Sequence, residues 1–96
     1  MELARLYVPK YPNQPVFELE KRLADAFNGY TLYSFGVGVW RDPSGNLVNE
    51  PVYVYDVVIK PECNDRATLE QILLKYKEDA AQTEVLYLVN NEPIFL

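Results

Sequence analysis

The spacing of apolar residues along this chain switches back and forth between the period of a strand and the period of a helix. From Leu3 to Val8, Ala4, Leu6 and Val8 alternate with Leu3, Arg5 and Tyr7, which predicts a strand with two distinct faces. Pro9 and Pro12 stop it, and Asn13-Gln14-Pro15 supplies a cap followed by an early proline, a helix start. Over Val16 to Phe27 the residues Val16, Leu19, Leu23, Ala26 and Phe27 fall on one side of a helix. Glu18, Lys21, Arg22 and Asp25 lie outside, with Glu18/Arg22 and Lys21/Asp25 spaced for i,i+4 pairs. Asn28-Gly29 ends this helix. Alternation then returns for the longest stretch of the chain, Tyr30 to Ile59, which reads as two strands around the turn Asp42-Pro43-Ser44-Gly45. A second helix is expected from Arg66 to about Ala81, capped by Asn64 or Asp65, with Leu69, Ile72, Leu73, Tyr76 and Ala80 as its buried stripe. Glu84 to Val89 closes the pattern as a strand. The apolar end Ile94-Phe95-Leu96 is expected to pack as a short edge strand or against a neighbour.

The order β-α-β-β-α-β predicts an α+β, ferredoxin-like fold: one domain over residues 1–96, a four-stranded antiparallel sheet, and both helices on one face. Helices on one face leave the other to water, and that face should read polar. It does not. The strand ending at Ile59 carries Val52, Val54 and Val58 on one side against Tyr53, Tyr55, Val57 and Ile59 on the other, and the last strand sets Leu86 and Leu88 against Val85, Tyr87 and Val89. Self-association as a dimer or trimer is the simplest way to cover both faces.

The first strand of the central hairpin is unusual. Simple alternation puts Tyr33, Phe35, Val37 and Val39 on one face and Ser34, Gly36, Gly38 and Trp40 on the other. Two glycines between a hydroxyl and the only tryptophan leave a shallow trough, the mark of a bulge, a subunit contact or a close approach by a ligand.

Composition narrows the chemistry. Fourteen acidic residues against nine basic ones, with no basic cluster beyond Lys21-Arg22, leave no footprint for a nucleic acid or an anionic membrane. A cationic or zwitterionic small molecule suits the balance better than a polyanion. No apolar run approaches the ~20 residues that span a bilayer. The start MELARLYVPKY lacks the features of a signal peptide, so a cytoplasmic location is expected. The chain has no histidine and a single cysteine, Cys63. That removes imidazole catalysis, His-containing and thiolate metal sites and an internal disulfide; no cofactor and no metal are expected. There is no phosphate-binding glycine loop either, since Gly36-Val37-Gly38 lies mid-strand.

Chemistry must then come from carboxylates, tyrosines, backbone groups or the substrate itself. Glu50, before Pro51 at the mouth of a strand, can hold an ammonium or sulfonium or accept a hydrogen bond from a ribose or amide; the plainer reading is a polar residue at a strand start. Asp56 interrupts the face of Val54 and Val58; it pairs with Arg5 or Arg41, lies in an interface, or stands unpaired with a raised pKa as a candidate acid. Trp40 at a strand end suits stacking or cation–π contact. Among eight tyrosines, Tyr30, Tyr33 and Tyr55 are nearest the trough. The expected lining of a ligand site is therefore Tyr30, Tyr33, Ser34, Gly36, Gly38, Trp40, Glu50, Tyr55 and Asp56. Cys63, in a loop with Lys60 and Arg66 nearby, reads as an inert thiol.

Two resemblances add to this. Gly29-x-Thr31, Gly38-x-Trp40-x-Asp42, Gly45 and Glu50, followed by Tyr76-Lys77 and Gln82-x-Glu84-Val85-Leu86, resemble an uncharacterised family of small bacterial proteins over roughly residues 29–95. That resemblance implies a ferredoxin-like fold and no settled activity; some members look exported or lipid-anchored, which does not carry over to this sequence. Gly38-Val39-Trp40, a turn and then Glu50 opening an apolar strand are similar to the phage enzymes that cleave S-adenosylmethionine, the SAM lyases. Those enzymes are small, ferredoxin-like and trimeric, with the ligand held between subunits, and the resemblance implies Glu50 as a catalytic residue. Three readings follow: a binding module for a small, nucleoside-like molecule at an inter-subunit cleft, a SAM-cleaving lyase, and a structural or partner-binding subunit.

Overall fold

A computed structural model describes residues 1–9 and 16–96, and for Ser34 and Phe35 the backbone only. The helix cap expected at Asn13-Gln14-Pro15 lies outside the described residues. In chain order the elements are β1 (Glu2–Pro9), α1 (Val16–Phe27), β2 (Thr31–Arg41), β3 (Leu47–Ile59), a 3-10 turn (Pro61–Cys63), α2 (Asp65–Asp79), β4 (Leu86–Val89) and β5 (Glu92–Phe95). The strands form one antiparallel sheet in the order β2-β3-β1-β4-β5.

The sheet thus has five strands where four were expected. After β4 the chain reverses through Asn90 and Asn91, both left-handed (φ 50 and 66), and returns as β5. Two successive residues at positive φ give a tight hairpin turn, and asparagine tolerates that conformation. Pro93 does not interrupt the pairing because it sits on an edge strand, where a missing N–H is not required. Leu96 then exchanges both backbone hydrogen bonds with Val85 (2.9 and 3.1 Å).

One face of the sheet carries the core. Ala4, Leu6 and Val8 of β1, Tyr55, Val57 and Ile59 of β3, and Tyr87 and Val89 of β4 pack against Leu19 and Leu23 of α1 and Leu69, Ile72, Leu73 and Tyr76 of α2. Both helices therefore cover the same face. The stripe of α1 is narrower than its spacing predicts, since Ala26 is exposed. The opposite face carries Leu3, Arg5 and Tyr7, Val52, Val54, Asp56 and Val58, and Leu86 and Leu88, with no helix over it. No helix among the described residues is long and apolar enough to cross a membrane.

The hairpin turn forms as its sequence predicts. Gly45 N–H donates to the Asp42 carbonyl at 2.9 Å, and Gly45 has φ 86, a conformation that favours glycine. The Asp42 carboxylate accepts from Asn46 N–H at 2.9 Å. The faces of β2, however, differ from simple alternation. Tyr33 pairs with Val54 and Gly36 with Val52, so two β2 residues, 34 and 35, oppose the single residue Tyr53. This bulge shifts the phase of the strand. Tyr33 consequently lies on the same face as Gly36, Gly38 and Trp40, not opposite them. Val37 and Val39 turn to the helix side, where they remain 69% and 57% exposed because the hairpin runs on past the helices. β1 pairs with β3 only from Val52 onward, leaving residues 47–51 with β2 as their one strand neighbour.

Candidate functional site

Beyond the end of β1 and before the start of β4, the uncovered face of the sheet is hollowed into a cleft of about 640 Å³. The hairpin contributes Gly38, Trp40, Glu50 and Val52, and β1 contributes Tyr7 and Pro9. Gln82, Thr83 and Glu84 reach it from the α2–β4 connection, with Leu86 and Phe95 from the last two strands. Its size is that of a small-molecule site, and aromatic side chains from three strands border it. Trp40 and Phe95 remain 41% and 62% exposed.

Glu50 is the singular group here. It is only 8% exposed and finds no hydrogen-bond or ion-pair partner among the described residues. Burial raises its carboxyl pKa above the ordinary 4.5. No buried side-chain nitrogen or oxygen among the described residues lacks a partner, so the Glu50 oxygens keep their access through the cleft. A carboxylate held this way is partly desolvated without gaining a cation among the described residues, an arrangement that costs stability unless something else fills the role. Its effect reaches the helix side: burial and then the Glu50 charge push the Tyr76 hydroxyl up to about 12.

The expected site residues fall into three groups. Gly38, Trp40 and Glu50 meet in the cleft. Gly36 adjoins it but has little free space, since a Cβ there would stand 2.8 Å from Val52 Cγ2. Tyr33 and Asp56 belong to a separate cluster on the same face. Arg5 donates from Nε to Asp56 Oδ1 at 2.7 Å and from Nη2 to Oδ2 at 2.9 Å, and the Tyr33 hydroxyl donates to Oδ2 at 2.9 Å. The guanidinium carbon also lies 5.7 Å from the Tyr33 ring centroid. These bonds to Arg5, opposed by burial, hold the Asp56 carboxyl below its usual range. Asp56 is thus a paired structural carboxylate, not an acid with a raised pKa. Tyr30 and Tyr55 stand on the helix side, away from the cleft. Tyr55 is fully buried, donates to Glu20 Oε2 at 2.6 Å and meets the Tyr30 ring edge-on at 5.5 Å. Burial and the Glu20 carboxylate raise its hydroxyl pKa. The Ser34 side chain lies outside the described residues, and Cys63 is exposed.

Sequence reasoning missed Tyr7, Gln82, Thr83, Glu84 and Phe95. Tyr7 was legible as a polar-tipped residue on the uncovered face. Gln82 and Glu84 entered only through a family resemblance and a strand start, not as site residues, because periodicity does not say where a connection docks. Among the described residues no group of three or more Cys, Asp or Glu is placed to hold a metal ion.

No family model and no curated protein matches the chain. Among solved structures it is similar to a phage SAM lyase in complex with S-methyl-5'-thioadenosine, with a TM-score of 0.69 and 14% identity over 99% of this chain and 88% of that one. A phage SAM lyase in the apo state gives a TM-score of 0.63 at 15% identity, over 99% and 87%. At this level of identity the likeness is one of fold.

Proposed function

We propose that this chain binds S-adenosylmethionine in the Glu50 cleft and cleaves it as a lyase. The observation that supports this most is the buried Glu50 carboxylate, without a partner among the described residues, opening onto an aromatic cleft. A sulfonium is the ligand such a site favours: it carries a full positive charge, has no N–H to satisfy, and gains from both a carboxylate and an aromatic face. The fold likeness to a lyase in complex with S-methyl-5'-thioadenosine points the same way. Cleavage of a sulfonium at carbon needs little from the protein. The sulfur leaves as a neutral thioether, taking the bonding pair, and the substrate's own carboxylate can close onto the carbon it leaves. Orientation and electrostatic stabilisation then carry catalysis without a histidine. The frame is read as ferredoxin-like with β5 added at one edge. The exposed apolar residues Val37, Val39 and Leu47 on the projecting hairpin support a homo-oligomer, dimeric or trimeric, that meets through the side of the hairpin opposite the cleft.

A second reading, binding of a nucleoside-like ligand without turnover, is favoured by how little chemistry the cleft holds: among the described residues that line it, only Glu50, Glu84 and Tyr7 are ionisable. One experiment separates the two. Wild type and Glu50→Gln are incubated with S-adenosylmethionine and the mixture is chromatographed for S-methyl-5'-thioadenosine. A lyase gives product with wild type and about a hundredfold less with the variant. A rise in Tm with S-adenosylmethionine but no product at high protein concentration leaves the binding reading. Neither product nor a Tm shift removes both.

A further inference from the structure

The cleft contains a second carboxylate that the proposed function does not use. Glu84 reaches it from the α2–β4 connection, two residues before Leu86. Leu86 pairs with Tyr7 and Pro9 with Val52, so Glu84 stands across β1 from the hairpin strand that carries Glu50. Two strand spacings of about 4.8 Å separate those strands, leaving room for a ligand between the two acids. Among the described residues no lysine or arginine lines the cleft. The two acids also differ in setting. Glu50 is 8% exposed and sits near Trp40, whereas Glu84 is exposed to solvent.

We infer that Glu84 is the specificity residue for a second positive charge, the α-ammonium of an amino-acid side arm, while Glu50 faces the sulfonium. This rests on the reading of the cleft as a site for S-adenosylmethionine. The division follows hydration. An ammonium is compact and strongly hydrated, and pairs best at a wet rim where it keeps part of its water shell. A sulfonium has no donors and little hydration to lose, so the drier end beside an indole suits it. The same two acids, with no cation among the described lining residues to offset them, turn away phosphorylated nucleosides.

Three ligands dissect this. S-adenosylmethionine has both positive groups, S-adenosylhomocysteine has the ammonium only, and S-methyl-5'-thioadenosine has neither. Affinity is measured for wild type, Glu84→Gln and Glu50→Gln by calorimetry, with KM from initial rates in place of the dissociation constant wherever S-adenosylmethionine is consumed. Glu84→Gln is expected to weaken S-adenosylmethionine and S-adenosylhomocysteine about three- to tenfold and to leave S-methyl-5'-thioadenosine unchanged. Glu50→Gln is expected to weaken S-adenosylmethionine selectively. Because Glu84 is exposed, its variant should keep the wild-type Tm without ligand. Equal weakening of all three ligands by Glu84→Gln, or no effect on any, overturns the assignment while the cleft remains the binding site. Wild type that binds none of the three overturns the reading of the cleft and the assignment with it.

Discussion

Gly38 stands directly opposite Glu50 across the β2–β3 ladder, so a residue without a side chain borders the most deeply buried carboxylate of the cleft. A Cβ at Gly38 would lie 3.7 Å from the Glu50 carbonyl oxygen, 3.7 Å from the Trp40 ring and 3.8 Å from Val52, all ordinary contacts. The glycine is therefore not demanded by packing of the chain alone.

That spacing gives a graded test. Gly38→Ala should fold with nearly wild-type Tm and weaken ligand binding only slightly. Gly38→Val places two further methyl groups among Trp40, Val52 and Glu50, and should abolish binding while the far-ultraviolet circular dichroism is kept. If both variants bind as wild type does, the cleft is not the site.

Gly36 behaves differently, because its Cβ would meet Val52 Cγ2 at 2.8 Å. Gly36→Ala should destabilise by about 1–3 kcal/mol through overpacking. Shortening the obstructing side chain in the double variant Gly36→Ala/Val52→Ala should recover part of that loss. Chemical denaturation of the two variants and of Val52→Ala alone measures the coupling.

Glu50 predicts an inverted response to pH. Its folded pKa is raised above the unfolded 4.5, so the folded protein binds the proton more tightly than the unfolded chain does. Stability is fullest below the unfolded value and is lost as pH climbs through the raised folded one. Glu50→Gln should accordingly raise Tm at neutral pH, and the gain should shrink to nothing below about pH 4. A polar variant that stabilises while removing binding is the signature of a group kept for function. Thermal unfolding from pH 3 to 8 decides it; a lower Tm for Glu50→Gln at pH 7 contradicts the account.

Asp56 has the opposite sign. Its folded pKa lies below the ordinary 3.8, so its contribution is present above that value and disappears as pH falls through the lower folded one. Asp56→Asn should lower Tm at neutral pH, and its difference from wild type should close under strongly acid conditions. Ligand affinity should be unchanged, since Asp56, Arg5 and Tyr33 form their own cluster. Titrating wild type and variant in parallel checks both statements.

Much of the frame was legible in the residues. The alternation of Ala4, Leu6 and Val8 and the stripe Leu69, Ile72, Leu73, Tyr76 identify their buried faces because burial on one side imposes a period. The span Val16–Phe27 is bounded by residues that start and stop helices. What failed has physical causes. Tyr33 was assigned to the wrong face because a bulge changes phase, and Gly36 and Gly38 marked a bulge as one possibility without fixing its place. Tyr30 and Tyr55 seemed near the trough in sequence, yet a strand separates its two faces, and theirs is the helix side. β5 was half visible: the apolar end needed cover, but Pro93 obscured a strand. For the cleft, Trp40 and Glu50 could be singled out by position, whereas the burial of Glu50 depends on tertiary neighbours and on no local pattern.

The bulge opposite Tyr53 has a consequence for how this surface arises. Were residues 34 and 35 both to pair in simple alternation, with no bulge, every later position of β2 would exchange sides: Gly36, Gly38 and Trp40 would turn toward the helices, and Val37 and Val39 would close over the hairpin face. An indole and a bare backbone would give way to a sealed aliphatic surface while the number of strands and their order stayed as they are. A one-residue slip in the pairing of this strand is therefore enough to create or erase the cleft, and the ancestry of the fold and the ancestry of the site need not coincide.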